Sequence, residues 1–220
     1  MTQFPDSLYF LLELLSSGLQ TFSMEIQEAL ELVSYKLGVK NGAAALEDGF
    51  LLADVVQQAI DDKTQGSLRE IDLKAYMQAT KLVKQARVEA FKEENLGFLE
   101  QLAQEPGVLA TGSGLLYQVL VEVDSKVKPR VGDSVRAHYH GTLIDGTVFD
   151  SSVERGAVAE FKVAKLIAGW KEGLQLMSPG SKFKFYIPQN LAYGERGAES
   201  KVPPYATLIF EVELVEVIGE

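Results

Sequence analysis

The spacing of apolar residues changes period about halfway along this chain. In the first half they recur every three to four positions, the signature of helices with one buried face. Ile26, Leu30, Val33 and Leu37 predict an amphipathic helix over residues 24–37, stopped by Gly38 and Asn41-Gly42. A second helix is expected over about 44–61, carrying Phe50, Leu51, Val55, Val56 and Ala59, with a polar break at 63–67. The longest helical pattern runs over about 70–104, with no proline and one glycine, Gly97. Tyr76, Val83, Ala90 and Phe91 mark one face of it, and Glu89, Lys92, Glu93 and Glu94 form a solvated stretch near its middle. Unbroken, it would be about 50 Å long. Two readings fit it: a helical hairpin folded on itself, or a single spacer helix whose first half packs on the smaller helices or on a second chain. Before these, Pro5-Asp6-Ser7 can open an apolar helix from Leu8 to about Leu15, ended by Gly18.

Glu105-Pro106-Gly107 closes the helical half, and from Gly114 the alternation becomes that of strands. Strands are predicted at 115–123, 135–140, 160–163, 182–187 and 207–217. In the last of these Leu208, Phe210, Val212, Leu214 and Val217 supply an inward face. One short helix, 169–177, interrupts them. The most informative stretch is Gly141–Ser152, GTLIDGTVFDSS. Asp145-Gly146 is a hairpin turn signal between two β-rich runs. Before the turn, Val135, Ala137 and Tyr139 share one face, and Arg136, His138 and His140 the other. After it, Phe149 directly precedes Asp150, so two aromatic rings can converge beside one carboxylate. The fold class expected is α+β: an antiparallel sheet curled over one short helix (residues 106–220), preceded by an all-α domain (residues 1–105) ending in the long helix.

The net charge of −10 argues against nucleic acid as a partner, since phosphate binding needs a cationic surface. Most of it lies in residues 1–110, whose 9 Lys/Arg and 17 Asp/Glu give −8. The chain has no cysteine, which excludes disulfides, thiolate metal sites and a cysteine nucleophile. Its two histidines sit two residues apart on the solvent side of a strand, and neither a metal nor a cofactor is expected. No run approaches the ~20 apolar residues of a membrane span. The apolar stretch in residues 8–15 is broken by Glu13, has no preceding Lys or Arg and no clear cleavage site. A cytoplasmic location is therefore expected, with a periplasmic or secreted one as the alternative if residues 1–23 act as an atypical signal.

Four motifs in order make the second half resemble a known family: VRAHYHGTLIDGTVFDSS at 135–152, LIAGWKEGLQLM at 166–177, IPQNLAYGERG at 187–197 and VPPYATLIFEVELVEV at 202–217. Together, residues 112–217 closely resemble the FK506-binding-protein (FKBP) type of peptidyl-prolyl cis–trans isomerase. Residues 95–120 look like the junction in bacterial two-domain members of the macrophage infectivity potentiator kind, and residues 32–38 and 50–60 are faintly similar to their helical region. Residues 1–23 carry no resemblance.

The resemblance implies an antiparallel half-barrel wrapped on one short helix, and a pocket for a proline ring. By motif that pocket falls on Tyr139, Phe149, Asp150, Phe161, Leu166, Ile167, Trp170, Tyr193 and Phe210. Tyr139, Asp150 and Tyr193 are the residues implied in catalysis. Trp170 would be the floor, and Phe149, Phe161 and Phe210 the walls. The Ile167 N–H and the Tyr193 hydroxyl would bond the carbonyls flanking the proline, and Asp150 would sit at the rim, tethered by Tyr139 or Arg155. Each residue singly has a plainer reading: Trp170, Phe161 and Phe210 as core, Tyr193 as a packed turn residue, Asp150 as a turn cap. The partners implied are unfolded or partly folded proline-containing polypeptides, macrolide inhibitors of the FK506 type, and a second copy of the chain bound through the N-terminal helices. Glu199 and Lys201 sit in a segment that varies within the family and bear on substrate preference.

Overall fold

The computed structural model describes residues 20–41, 44–45, 51–198 and 201–219. The expectations for the helix at 8–15, for the segment 1–19, for Phe50 and for Glu199 lie outside the described residues. The chain divides into two compact units, residues 1–91 and 92–220.

The first unit is helical. α1 (Gln20–Asn41) and α2 (Ala53–Gln65) cross closely at Gly38, where a Cβ would lie 2.8 Å from the Ala59 Cβ. α2 starts later than its periodicity predicts and runs on to Gln65, where Gly66 takes the left-handed conformation that closes helices. α3 (Leu73–Leu102) is one continuous helix of 30 residues, so the hairpin reading of this segment does not hold. Its Ala79, Val83, Ala86 and Ala90 are buried in a four-three-four spacing, one stripe of a helix surface, against Leu30, Val33, Leu52 and Val56. The mostly small side chains of that stripe let the helices approach closely. Two polar links tie this unit together. The Ser34 hydroxyl accepts the Leu52 N–H at 3.0 Å, and the buried Tyr35 hydroxyl donates to Asp62 at 2.7 Å while accepting the Arg69 N–H at 2.9 Å.

The second unit is an antiparallel sheet. Its strands are β1 (Leu109–Ala110), β2 (Leu116–Val121), β3 (Ser134–Thr142), β4 (Val148–Ser151), β5 (Ala159–Lys162), β6 (Lys182–Ile187) and β7 (Leu208–Ile218). They lie in the order β1-β2-β6-β7-β3-β4, with β5 also paired to β3. The sheet does not close into a barrel. It wraps α4 (Ala168–Leu176), and the close fit is set by two glycines: a Cβ on Gly169 would lie 2.4 Å from Ile187, and one on Gly173 2.6 Å from Phe185. β3 is central and follows the predicted alternation, with Val135, Ala137, Tyr139 and Gly141 buried and their neighbours not. The inward set of β7 changes parity after Leu214 because the ladder to β3 slips there: Ala137 faces Leu214, whereas Arg136 faces Glu216.

The last turns of α3, from Lys92, belong to this unit. They correct the expected solvated stretch: Lys92 and Glu93 are half-buried, and the Lys92 ammonium lies 4.1 Å from the centre of the Tyr205 ring. His138 and His140 also depart from the expected solvated state. Both are half-buried, and the Nδ1 of His140 pairs with the Ser151 hydroxyl at 3.0 Å.

Candidate functional site

β3 and β7 place the first residues of the site. Their register sets Tyr139 opposite Val212 and Gly141 opposite Phe210. Gly141 has no side chain because two rings occupy its space: a Cβ there would meet Phe210 at 2.7 Å and Phe149 at 2.8 Å. The Asp145-Gly146 turn forms as predicted. The Thr147 N–H is held by the Asp145 side chain at 2.8 Å, and Gly146 takes φ +85°. It returns the chain into β4, which carries Phe149 inward and Asp150 to the edge.

The rings form one connected cluster. Trp170, at the start of α4, stands edge-on to Tyr139 (centroids 5.5 Å, 87°) and to Phe210 (5.2 Å, 89°). Phe161 packs on Tyr139 and Trp170, at 5.6 and 5.5 Å. Edge-to-face contacts of this kind satisfy the ring quadrupoles and hold each ring at a set tilt. They bound a cavity of about 220 Å³ lined by Tyr139, Asp150, Phe161, Leu166, Ile167, Trp170, Tyr193 and Phe210. Eight of the nine residues expected on the pocket thus line one cavity. The ninth, Phe149, does not line it but stands behind Phe210, its ring perpendicular at 5.3 Å, where it supports the wall. Lys165 lines the cavity as well, and nothing in the sequence distinguishes it from the other lysines.

The polar side of the cavity is a closed triangle. The Tyr139 hydroxyl donates to Asp150 Oδ2 at 2.6 Å and accepts from Arg155 Nη2 at 2.7 Å, and Arg155 Nη1 donates to Asp150 Oδ1. Both expected tethers of Asp150 are therefore present together. Burial pushes the Asp150 carboxyl up, but the hydrogen bonds from Tyr139 and Arg155 outweigh it and hold it below the usual carboxylate range. Burial, reinforced by the hydrogen bond to Asp150, raises the Tyr139 phenol above its usual value. At neutral pH the triangle is therefore a carboxylate, a neutral phenol and a guanidinium, with no group poised to exchange a proton. Ile167 caps the N-terminus of α4, whose first N–H groups have no acceptor within the helix. Tyr193, 42% exposed, stands at the lip. Among the described residues no His, Asp and Glu cluster could hold a metal ion, and no described helix is long and apolar enough to cross a membrane.

A family profile for the FKBP-type peptidyl-prolyl cis-trans isomerase matches residues 125–215, and one for the domain amino terminal to it matches residues 30–119. The FKBP-type 22 kDa peptidyl-prolyl cis-trans isomerase of Escherichia coli K12 is 43% identical over 199 residues, which is 84% of this chain and 94% of that protein. The chain belongs to the FKBP-type peptidyl-prolyl cis-trans isomerases. Within them it falls in the bacterial two-domain branch, of the FkpA and macrophage-infectivity-potentiator type. FkpA of Aeromonas hydrophila is 45% identical over 159 residues, 71% of this chain and 58% of that protein. The crystal structure of FkpA from Escherichia coli superposes with a TM-score of 0.58 at 35% identity, covering 77% of this chain and 83% of that one. The cytoplasmic location expected for this isomerase does not stand against its likeness to the FkpA-type isomerases.

Proposed function

We propose that the cavity of this isomerase accelerates rotation about X–Pro bonds by binding the twisted amide more tightly than the planar one, with no covalent intermediate. The observation that carries this is the joining of a ring-lined cavity to a proton-inert polar triangle. Rotation costs about 18–20 kcal/mol because amide resonance is lost at 90°. The planar amide is the more polar form, so a cavity walled by Phe161, Trp170 and Phe210 withdraws the water that favours it. The proline ring rests on Trp170. The Ile167 N–H and the Tyr193 hydroxyl take the carbonyls on either side, and the acyl part turns. Differential binding of this kind is all the reaction requires. FK506-type macrolides compete for the same cavity.

The test is proline-limited refolding of a client with the full chain in catalytic amounts. A faster slow phase is expected, suppressed by a macrolide competitor. Tyr193→Phe, which removes one hydrogen bond and leaves the ring, is expected to lower kcat/KM about fivefold, the equivalent of one ordinary hydrogen bond. A rate unchanged by the protein would refute the proposal.

A second reading is a holdase, gripping proline-containing segments with little turnover. Exposed apolar groups in the first unit favour it: Leu73 and Met77, 69% and 65% exposed, sit one turn apart on α3. In that case refolding or aggregation would respond only to stoichiometric protein. The same residues favour dimerisation of two chains through the N-terminal helices, since two large exposed apolar side chains one turn apart gain by being covered. Leu73→Glu combined with Met77→Glu is expected to move the full chain from dimer to monomer in sedimentation velocity. A dimer that survives both changes would exclude this pair as the interface.

A further inference from the structure

We infer that Asn95, near the end of α3, is a positioning residue for Tyr193. The chain of contacts is short. Asn95 is 3% exposed, and its Oδ1 accepts the N–H of Thr207 at 2.7 Å, across 112 positions of sequence. Thr207 is buried and immediately precedes β7. A buried backbone N–H has to be paired, and here a helix side chain, not the sheet, supplies the acceptor.

Two residues earlier stands Tyr205, the one non-glycine among the described residues with a left-handed backbone, φ +66°. Such a conformation persists only where its surroundings hold it. Two contacts do so. The Tyr205 N–H donates to the Gly194 carbonyl at 2.9 Å, and the Lys92 ammonium, one turn before Asn95 on the same helix, covers its ring at 4.1 Å. Gly194 is the residue after Tyr193. Gly197 lies close against Val202: a Cβ on Gly197 would lie 2.2 Å from the Val202 carbonyl oxygen. Phe98 beds the same helix turns against Tyr186 of β6, with ring centroids 6.2 Å apart.

Tyr193 is thus a half-exposed side chain at the lip whose backbone is held through Gly194, Tyr205 and Thr207 by the helix. Asn95 and Lys92 act on this segment at Thr207 and Tyr205. Their effect on turnover would pass through the placement of the Tyr193 hydroxyl.

This inference rests on the role given to Tyr193 under Proposed function, and the experiment separates the two. Full-length protein, Asn95→Ala, Tyr193→Phe and the double variant are compared by kcat/KM on a proline-containing peptide. Asn95→Ala is expected to lower kcat/KM about threefold in the native background and to add nothing in the Tyr193→Phe background, the mark of two residues acting as a unit. Asn95→Asp, which keeps an acceptor oxygen, is expected to recover most of the loss. A purely structural role would instead give the same loss in both backgrounds. If Asn95→Ala does not fold, Lys92→Met carries the test, since it keeps the aliphatic stem and removes the charge over Tyr205. It is expected to cost about twofold, again only when the Tyr193 hydroxyl is present. An unchanged rate, or equal losses in both backgrounds, overturns the inference. If Tyr193→Phe alone changes nothing, the role of its hydroxyl falls first and the route through Asn95 with it. If Tyr193→Phe slows turnover and Asn95→Ala does not, only the positioning role falls.

Discussion

Phe210→Ala is expected to destabilise the second unit by about 3–5 kcal/mol and to lower kcat/KM by about tenfold or more in the fraction that remains folded. Phe210 is buried and makes ring contacts with Tyr139, Phe149 and Trp170. It also covers Gly141 on the neighbouring strand, which has no side chain with which to refill the space. Truncation therefore leaves a void that neither strand can close, and the transfer and cavity costs add. Stability is read by denaturant unfolding followed at Trp170, the chain's one tryptophan, whose indole packs edge-on against the lost ring. The functional loss has a separate cause. The wall that excludes water from the twisted amide is gone, and Phe149 behind it no longer has a ring to brace. Phe210→Leu should restore most of the stability while leaving turnover impaired. Equal recovery of both would mean that bulk alone, not a flat aromatic wall, is what the cavity needs.

How far the site could be read from the sequence depended on which force placed each residue. Tyr139, Phe149 and Phe210 were legible because strand period 2 assigns faces without reference to anything distant. The turn at Asp145-Gly146 was legible for the same local reason. Trp170 and Tyr193 were reached only through the motifs that carry them, because a single buried indole or a tyrosine before a glycine reads equally well as core or turn. Phe149 shows the limit of facing alone. It points inward as expected, yet it lies behind Phe210, and no periodicity separates the first row of rings from the second. Lys92 departs from the solvated face expected of it, and nothing in the sequence singles out Asn95. In a run of Lys, Glu and Glu they look like a solvated helix face, and their partners lie more than a hundred residues away at Tyr205 and Thr207. The parity change in β7 was visible as Val217 following Leu214 in the inward set, but its cause, the slipped ladder to β3, belongs to the partner strand.

Asp150→Ala is expected to lower kcat/KM about tenfold, equivalent to about 1.4 kcal/mol, with the fold retained. Asp150 is at the edge of β4 and part-exposed, so its removal creates no core cavity. What it removes is the acceptor for two donors at once, the Tyr139 phenol and the Arg155 guanidinium. Both must then find water, and the nearest place to hold that water is the mouth of the cavity. Hydration there returns to the planar amide the solvation that the rings withdraw. Tyr139 also loses the tether that fixes its ring against Phe161 and Trp170. Asp150→Asn separates the charge from the shape, since it keeps an acceptor oxygen but presents an amide to Arg155. Its expected loss lies between that of Asp150→Ala and the unmodified protein. The Asp150 carboxyl is held below its ordinary value, so the triangle's contribution is fully present above the ordinary carboxylate pKa, about 3.9, and is lost as pH falls through the lowered value. Turnover is therefore expected to be flat from about pH 8 to about pH 5 and to fall only in more acidic solution. A bell with a limb near neutrality would point to a proton in transit, and would contradict a site whose carboxylate stays ionised and whose phenol stays protonated.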